Sequence, residues 1–435
     1  MPITMRRSIA SLLFLSTLTA HAQGPDLVGY WHNWNDGNAP YLELSQVDPR
    51  YTIIEVSFAV PAVGSTYDMV FAPAETAPAT FTADVAALQA QGKKVLISIG
   101  GANATVHLDS DAERDQFVSS MLGILDTYGF DGLDIDLEGA SVAISGGTIA
   151  NPTDARIIRL IDAVNSIADQ YEITNGVPMM LTMAPETAYV QGGMSAYGGI
   201  WGAYLPIIDA LRDRLDILQV QLYNSGSMYG IDGGIYTQGT ADFIVSQTEA
   251  LLQGFTTGGG FLAPLPPEKV AIGLPACPLA AGGGYVSPAV LEQAVDYLRG
   301  TGPQPGSYQR LATYPTLRGL MTWSINWDAV GSCAVADEYA QAFEDIFGIT
   351  TAVQEAPDAG ITLCPVPVDA GVLQVGGLQG GEALFLLDAL GRVVATDRAT
   401  SDRVELAFDL PTGAYVLRVD RDGALVLSRR VVVVR

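Results

Sequence analysis

The chain has 435 residues, too many for one ordinary compact domain and enough for a large domain plus a small one. Hydrophobic residues make up 49% and charged residues 16%, which excludes disorder over most of the length. The formal net charge of −25 would repel phosphate, and so argues against a nucleic-acid partner.

At the N-terminus, Arg6 and Arg7 precede a short apolar run from Ile9 to Leu18, and Ala20-His21-Ala22 has the small-x-small pattern of a cleavage site. The run is too short to span a bilayer. Residues 1–22 therefore read as a signal peptide, with a mature chain that starts near Gln23 and is secreted or held at the cell surface. Export permits a disulfide, and the three cysteines Cys277, Cys333 and Cys364 leave one over.

From Leu27 onward, eight short β-type runs alternate with helical segments. The runs are Leu27–Trp31, Tyr51–Ala59, Lys94–Ile99, Gly132–Leu137, Pro178–Ala184, Ile217–Tyr223, Val270–Pro275 and Gly319–Ile325. Helical periodicity marks Ala112–Tyr128, Asp154–Tyr171, Tyr204–Arg214, Ala241–Phe255 and Asp337–Phe347, with capping signals at Asp154 and Thr240. This alternation predicts an α/β fold, a (β/α)8 TIM barrel over residues 23–348. The competing doubly wound sheet is weakened because the first strand-to-helix turn has no Gly-rich dinucleotide fingerprint. Cys277 and Cys333 follow the seventh and eighth strands on adjacent loops of one barrel face, so they are expected to pair.

Residues 349–365 lose periodicity, carry prolines and read as a linker. Residues 366–435 are nearly balanced in charge, so the acidity belongs to the barrel. Short strands are expected at Ala383–Leu387, Arg392–Thr396, Arg403–Phe408, Ala414–Val419 and Ala424–Val434, separated by turns at Leu390-Gly391, Pro411-Thr412-Gly413 and Asp422-Gly423. They predict a small C-terminal β-sandwich.

The strongest chemical signal is FDGLDIDLEG at Phe130–Gly139. Strand alternation turns Leu133, Ile135 and Leu137 toward the helices and Asp134, Asp136 and Glu138 into the barrel. A row of buried carboxyls is costly unless its members are hydrogen-bonded or share protons. A purely structural strand would carry Val or Leu there. The row suits chemistry in which the topmost carboxyl, at the barrel mouth, must stay protonated near neutral pH.

The DGxDxDxE pattern at Asp131–Glu138 resembles the signature of glycoside hydrolase family 18, the chitinases and related endo-N-acetylglucosaminidases. Ser98-Ile99-Gly100-Gly101, Met183-Ala184-Pro185-Glu186, Gln221-Leu222-Tyr223-Asn224 and Met321-Thr322-Trp323-Ser324 fall on the expected strands, as do Gly29-Tyr30-Trp31 and Val56-Ser57-Phe58-Ala59. The resemblance covers roughly residues 26–348 and is to bacterial single-barrel chitinases. It implies a substrate-assisted mechanism in which Glu138 is the catalytic acid, outside the usual two-carboxylate scheme. Asp136 would hold the acetamido N–H of the substrate, Asp134 would share a proton with Asp136, and Tyr223 would donate to the attacking carbonyl oxygen.

Trp323 is expected to floor the sugar subsite, because pyranose faces are apolar and stack on indole. Met183, Gln221 and Asn224 are expected beside it, and Tyr30, Trp31 and Trp34 to extend the cleft. Trp34 and Trp327 read equally well as packing residues. Ser98 is expected to hydrogen-bond Asp134, and Gly100 and Gly101 to allow close backbone approach. The three histidines form no metal or nucleophile constellation, and no cofactor is expected.

The resemblance implies an endo-acting chitinase, a monomer, whose partner is chitin or another N-acetylglucosamine-containing glycan. The alternatives are an endo-β-N-acetylglucosaminidase acting on N-glycans and a non-catalytic chitin-binding lectin. The short connection from Pro275 to Gly319 leaves little room for an extra subdomain, so a shallow groove and internal cleavage are expected. ALGRVVAT at Ala389–Thr396, LPTGAYVLRV at Leu410–Val419 and SRRVVVVR at Ser428–Arg435 resemble the C-terminal sorting domain of type IX secretion cargo, which would make that machinery a partner. A carbohydrate-binding or fibronectin-like module is the alternative, weakened because only Phe385, Phe408 and Tyr415 supply aromatics.

Overall fold

A computed structural model describes residues 24–348, 361–364, 368, 371–387, 393–408, 410, 413–421 and 424–433. The expected signal peptide and most of the expected linker lie outside the described residues. The larger unit is built on eight parallel strands: β1 Asp26–His32, β2 Ile53–Pro61, β3 Lys94–Gly100, β4 Gly132–Asp136, β5 Met180–Met183, β6 Ile217–Leu218, β7 Ala271–Pro275 and β8 Gly319–Trp323. They run in the order β7-β8-β1-β2-β3-β4-β5-β6. Isolated parallel bridges from Leu218 to Val270 and from Gln221 to Gly273 join the two ends. The result is a nearly closed parallel barrel with helices around it, consistent with the expected TIM architecture. Strand β6 is shorter than expected because beyond Leu218 the chain pairs only through isolated bridges to Glu186 and Gly273.

The helices are α1 Pro78–Ala90, α2 Asp111–Tyr128, α3 Ala155–Asn175, α4 Leu205–Ala210, α5 Ala241–Gln253, α6 Pro288–Arg299, the one-turn α7 Ile325–Asp328 and α8 Glu338–Phe347. Between β1 and β2 there is only a single 3-10 turn at Leu44–Gln46. Thr240 caps α5 as expected, its hydroxyl accepting from the Phe243 N–H. Asp154 sits at the start of α3 but does not cap it. Its carboxylate instead accepts from the N–H and the hydroxyl of Ser145. Helix α4 ends at Ala210, four residues before the expected limit.

Two apolar layers hold the barrel. Ile97, Leu133, Ile135 and Leu181 face the helices in the larger core. Val28, Ile53, Leu96, Ile217, Ala271 and Met321 fill the floor of the barrel interior. Both arise from the same alternation, since adjacent strand residues point to opposite faces. Cys277 and Cys333 form the expected disulfide across the β7 and β8 loops, with Cα atoms 5.9 Å apart.

The C-terminal unit consists of two antiparallel sheets. One contains β9 Thr362–Cys364, β10 Val372–Gly376 and β13 Arg403–Ala407. The other runs β12-β11-β14-β15, from Val393–Arg398, Ala383–Leu387, Gly413–Arg421 and Ala424–Val433. Leu373 and Val375 of the first sheet share one apolar core with Leu384, Leu386, Leu417 and Val431 of the second. Strands β9 and β10 were not anticipated. The first corrects the linker boundary, because Thr362–Cys364 pairs antiparallel with Cys364 opposite Gln374. Cys364 is therefore an exposed strand residue with a free thiol. The expected turns at 390–391, 411–412 and 422–423 lie outside the described residues.

Candidate active site

Above the apolar floor, the next inward residues of six strands are polar: Tyr30 of β1, Glu55 of β2, Ser98 of β3, Asp134 of β4, Thr182 of β5 and Gln219, just past β6. Glu55, Ser98, Asp134, Thr182 and Gln219 are all 0% exposed. Register explains the meeting, since Tyr30 lies opposite Glu55, Ser98 opposite Asp134, and Asp134 opposite Thr182. The Oδ2 of Asp134 accepts from Tyr30 Oη at 2.7 Å and Ser98 Oγ at 2.6 Å. Its Oδ1 lies 2.7 Å from Thr182 Oγ1. Burial pushes the Asp134 carboxyl up, and these hydroxyls oppose that shift.

One layer higher are Asp136 and Glu138. The Gln221 amide nitrogen donates to Asp136 Oδ1 at 2.8 Å, to Glu138 Oε1 at 3.2 Å and to the Ala184 carbonyl at 2.9 Å. Two hydrogens thus face three acceptors. Asp136 and Glu138 also touch each other through a side-chain hydrogen bond. Burial, then the nearby Glu138 and Asp134 charges, raises the Asp136 carboxyl well above its usual range. Burial likewise raises Glu138. Two carboxyls in hydrogen-bond contact require a proton between them. Asp136 lies between two carboxyls: Glu138, with which it shares the Gln221 amide, and Asp134, which three hydroxyls serve.

Glycine makes the approach possible. Gly100 has φ +103°, and a Cβ there would come within 2.3 Å of the Asp136 carbonyl oxygen. Gly101 donates its N–H to that same oxygen at 2.7 Å. With any larger residue at Gly100, β3 and β4 would be pushed apart directly beneath the carboxyls.

Asp136 and Glu138 open into a cleft of about 870 Å³, lined also by Trp34, Phe58, Gln221, Tyr223, Asn224 and Trp323. Trp323 is half-buried, stacked on Phe58 at 6.0 Å between centroids and tilted against Tyr30 at 5.5 Å. His32 lies flat against Trp34 at 4.6 Å, and burial lowers its pKa to about 4. The ring beneath these indoles is therefore neutral across the physiological range. Tyr223 is buried, and burial with the Asp136 and Glu138 charges raises its hydroxyl well above the usual range. Asn224 takes a left-handed backbone conformation with φ 52°, which asparagine tolerates better than most residues.

The structure thus brings Glu138, Asp136, Tyr223, Gln221, Asn224, Trp323 and Trp34 to one cleft. It does not bring Met183 there. Met183 is fully buried in the larger core and lies between the inward residues Thr182 and Ala184, paired in register with the helix-facing Ile135. Tyr30 is buried below the cleft, where it serves Asp134. Trp31 turns outward into the larger core, its indole N–H donating to the Leu42 carbonyl at 2.8 Å. Trp327 is buried in that core as well. Glu55, Thr182 and Gln219 were not anticipated, although alternation along Ile53, Glu55, Ser57 and along Gln219, Gln221, Tyr223 carries the signal. Glu186 is also new: burial and the Glu138 charge raise its carboxyl, and it does not line the cleft.

Residues 26–286 match the family described as Glycosyl hydrolases family 18. Chitinase Chi52 of Paenibacillus xylanexedens is 49% identical over 310 residues, which is 70% of this chain and 58% of that protein. Chitinase D of Niallia circulans is 49% identical over 311 residues, again 70% of this chain and 58% of the relative. The match thus spans little more than half the length of these curated relatives. Among solved structures, a family GH18 chitinase from Chromobacterium violaceum aligns with a TM-score of 0.66 at 38% identity, covering 74% of this chain and 83% of that one. The carboxyl ladder, its barrel and these matches agree, and the chain belongs to glycoside hydrolase family 18.

Proposed function

We propose that this protein is a chitinase that cleaves β-1,4-linked N-acetylglucosamine polymers internally, with retention of configuration. The observation that carries this reading is the Asp136–Glu138 contact at the head of a buried carboxyl row, opening under Trp323 into the cleft. Glu138 gives its proton to the glycosidic oxygen as the substrate's acetamido oxygen attacks the anomeric carbon. Asp136 accepts the acetamido N–H and balances the positive oxazolinium, while Tyr223 donates to the attacking oxygen. Glu138 then takes a proton from water, which attacks the anomeric carbon from the face the leaving group vacated as the oxazolinium carbon–oxygen bond breaks. The connection from β7 to β8 contains α6 and loops but no added sheet, which supports a shallow groove and internal cleavage.

Product analysis on colloidal chitin, chito-oligosaccharides and a high-mannose glycoprotein tests the reading. Oligomers released from chitin, with the β-anomer formed first, are expected, and no glycan is expected from the glycoprotein. Hydrolysis of chitin by Glu138→Gln at a comparable rate would overturn the mechanism. Export through the signal at residues 1–22, monomeric action outside the cell or at its surface, and delivery by type IX machinery complete the proposal. Because β9 belongs to the C-terminal unit, the truncation that tests sorting removes residues 349–435. Retained secretion with lost chitin binding would favour a glycan-binding module instead.

A further inference from the structure

The barrel interior holds a second set of carboxyl contacts that the mechanism above leaves unused. Glu55 is fully buried on β2. Its Oε1 lies 2.8 Å from Thr182 Oγ1, and the same hydroxyl lies 2.7 Å from Asp134 Oδ1. A threonine hydroxyl has one hydrogen, so it can donate to only one of these carboxyls. The other must bring a proton of its own. Asp134 accepts the Tyr30 and Ser98 hydroxyls on its far oxygen, whereas Glu55 has the Gln219 amide, at 2.6 and 2.8 Å, and only a share of the Tyr30 hydroxyl, whose one hydrogen is donated to Asp134. The less well served carboxyl keeps the proton, and that is Glu55. Turning the Gln219 amide over strengthens the conclusion, because its carbonyl oxygen would then face both Glu55 oxygens and itself need a donor. Burial and the Asp134 charge push Glu55 the same way, well above the usual carboxylate range.

Resting on the hydrolytic reading above, we propose that Glu55 and Thr182 form a proton relay beneath the catalytic ladder, which neutralises Asp134 when Glu138 discharges. In the free enzyme the proton sits on Glu55 Oε1 and Thr182 donates to Asp134. When Glu138 gives its proton to the glycosidic oxygen, Asp134, Asp136 and Glu138 would all be carboxylates in one buried row. That charge raises the proton affinity of Asp134. The Glu55 O–H bond then breaks as a new Thr182 O–H bond forms, and the original Thr182 hydrogen passes to Asp134 Oδ1. No atom is gained or lost, and one negative charge moves from Asp134 to Glu55, where the Gln219 amide receives it. The relay runs back when Glu138 recovers a proton from water. Glu55 is thus a positioning residue that acts through Asp134.

Glu55→Gln tests the relay, because the amide can donate to Thr182 as the acid does but cannot release a proton along the chain. Infrared spectroscopy of the full chain should show the carbonyl stretch of a protonated carboxylic acid that is lost in Glu55→Gln. An unchanged band would overturn the assignment of the proton. On a chito-oligosaccharide, kcat of Glu55→Gln should fall about tenfold, the equivalent of one pKa unit on Glu138, with KM unchanged. Thr182→Val should fall similarly, and Thr182→Ser should recover most of the rate. Equal kcat in wild type and Glu55→Gln would overturn the transfer. A wild-type protein inactive on the oligomer would overturn the relay with the reading it rests on, while the infrared result would still decide where the proton lies.

Discussion

Two buried glutamates in this barrel show how the same side chain serves opposite ends. Glu249 of α5 is as inaccessible as Glu55 of β2. Its oxygens accept from Tyr308 Oη at 2.8 Å, Tyr314 Oη at 2.6 Å, and the N–H groups of Leu311 and Ala312 at 2.7 and 3.2 Å. Each of those donors brings its own hydrogen, so Glu249 is satisfied as a carboxylate and ties α5 to the segment ahead of β8. Around Glu55, Asp136 and Glu138, hydrogens are fewer than the acceptors competing for them. Where donors are in surplus a buried carboxyl is a clamp, and where they are in deficit it stores a proton.

The sharpest way to break this comparison is to neutralise one member of each set. Glu138→Gln should lower the rate of hydrolysis by on the order of 10³-fold, the range lost with a general acid. Its unfolding midpoint should match the wild type, since no clamp is removed. Glu249→Ala should do the reverse. It strands two tyrosine hydroxyls and two backbone N–H groups, and should cost about 3 kcal/mol of stability. Urea unfolding would measure that loss, with kcat per folded molecule unchanged. A large kcat effect from Glu249→Ala, or a large stability loss from Glu138→Gln, would erase the distinction.

A smaller effect tests the charge beneath the acid. Glu138 must be protonated to act, and its raised pKa extends activity to higher pH than an ordinary glutamate would allow. Activity is lost as pH rises through that pKa. Asp134→Asn removes a negative charge below Asp136 and Glu138, making ionisation of Glu138 easier. The alkaline limb of kcat/KM should therefore move to lower pH, by up to about one unit. A limb that stays in place would mean Asp134 is neutral in the free enzyme.

How much of this was legible before the structure follows from what alternation encodes. The faces of β4 could be read directly, because Leu133, Ile135 and Leu137 alternate with Asp134, Asp136 and Glu138. The disulfide followed from barrel topology. Met183 was misplaced because its face is fixed by register with Ile135, and pairing partners are not written along one strand. Alternation with Ile53 and Ser57 turns Glu55 inward, but a lone carboxyl gives no hint of its partners Thr182 on β5 and Gln219 just past β6. Helix α1 buries only Phe81, Val85 and Leu88 within an alanine-rich segment, so its periodicity is weak. Strands β9 and β10 are short, and β9 falls between Pro357 and Pro365, the prolines that suggested a linker.

Asp328 tests whether donor count alone decides the matter. It accepts from Tyr51 Oη at 2.7 Å and from the Tyr339 and Ala340 N–H groups at 2.7 and 3.1 Å, anchoring the start of α8. Even so, burial raises its pKa to about 6, against those three hydrogen bonds. It therefore lies between the clamp and the proton store. The unfolded carboxyl titrates near 3.8, so between there and about 6 the folded chain binds a proton that the unfolded chain has released. By linkage, this stabilising contribution is fully present below the unfolded value and is lost as pH rises through the folded one. Raising the carboxyl from 3.8 to about 6, with the three donors already counted, makes that loss roughly 2 kcal/mol between pH 4 and 7. Unfolding free energies measured across that range should decline more steeply for the wild type than for Asp328→Asn. Parallel curves would mean that three donors suffice to hold Asp328 as a carboxylate, and would move it into the class of Glu249.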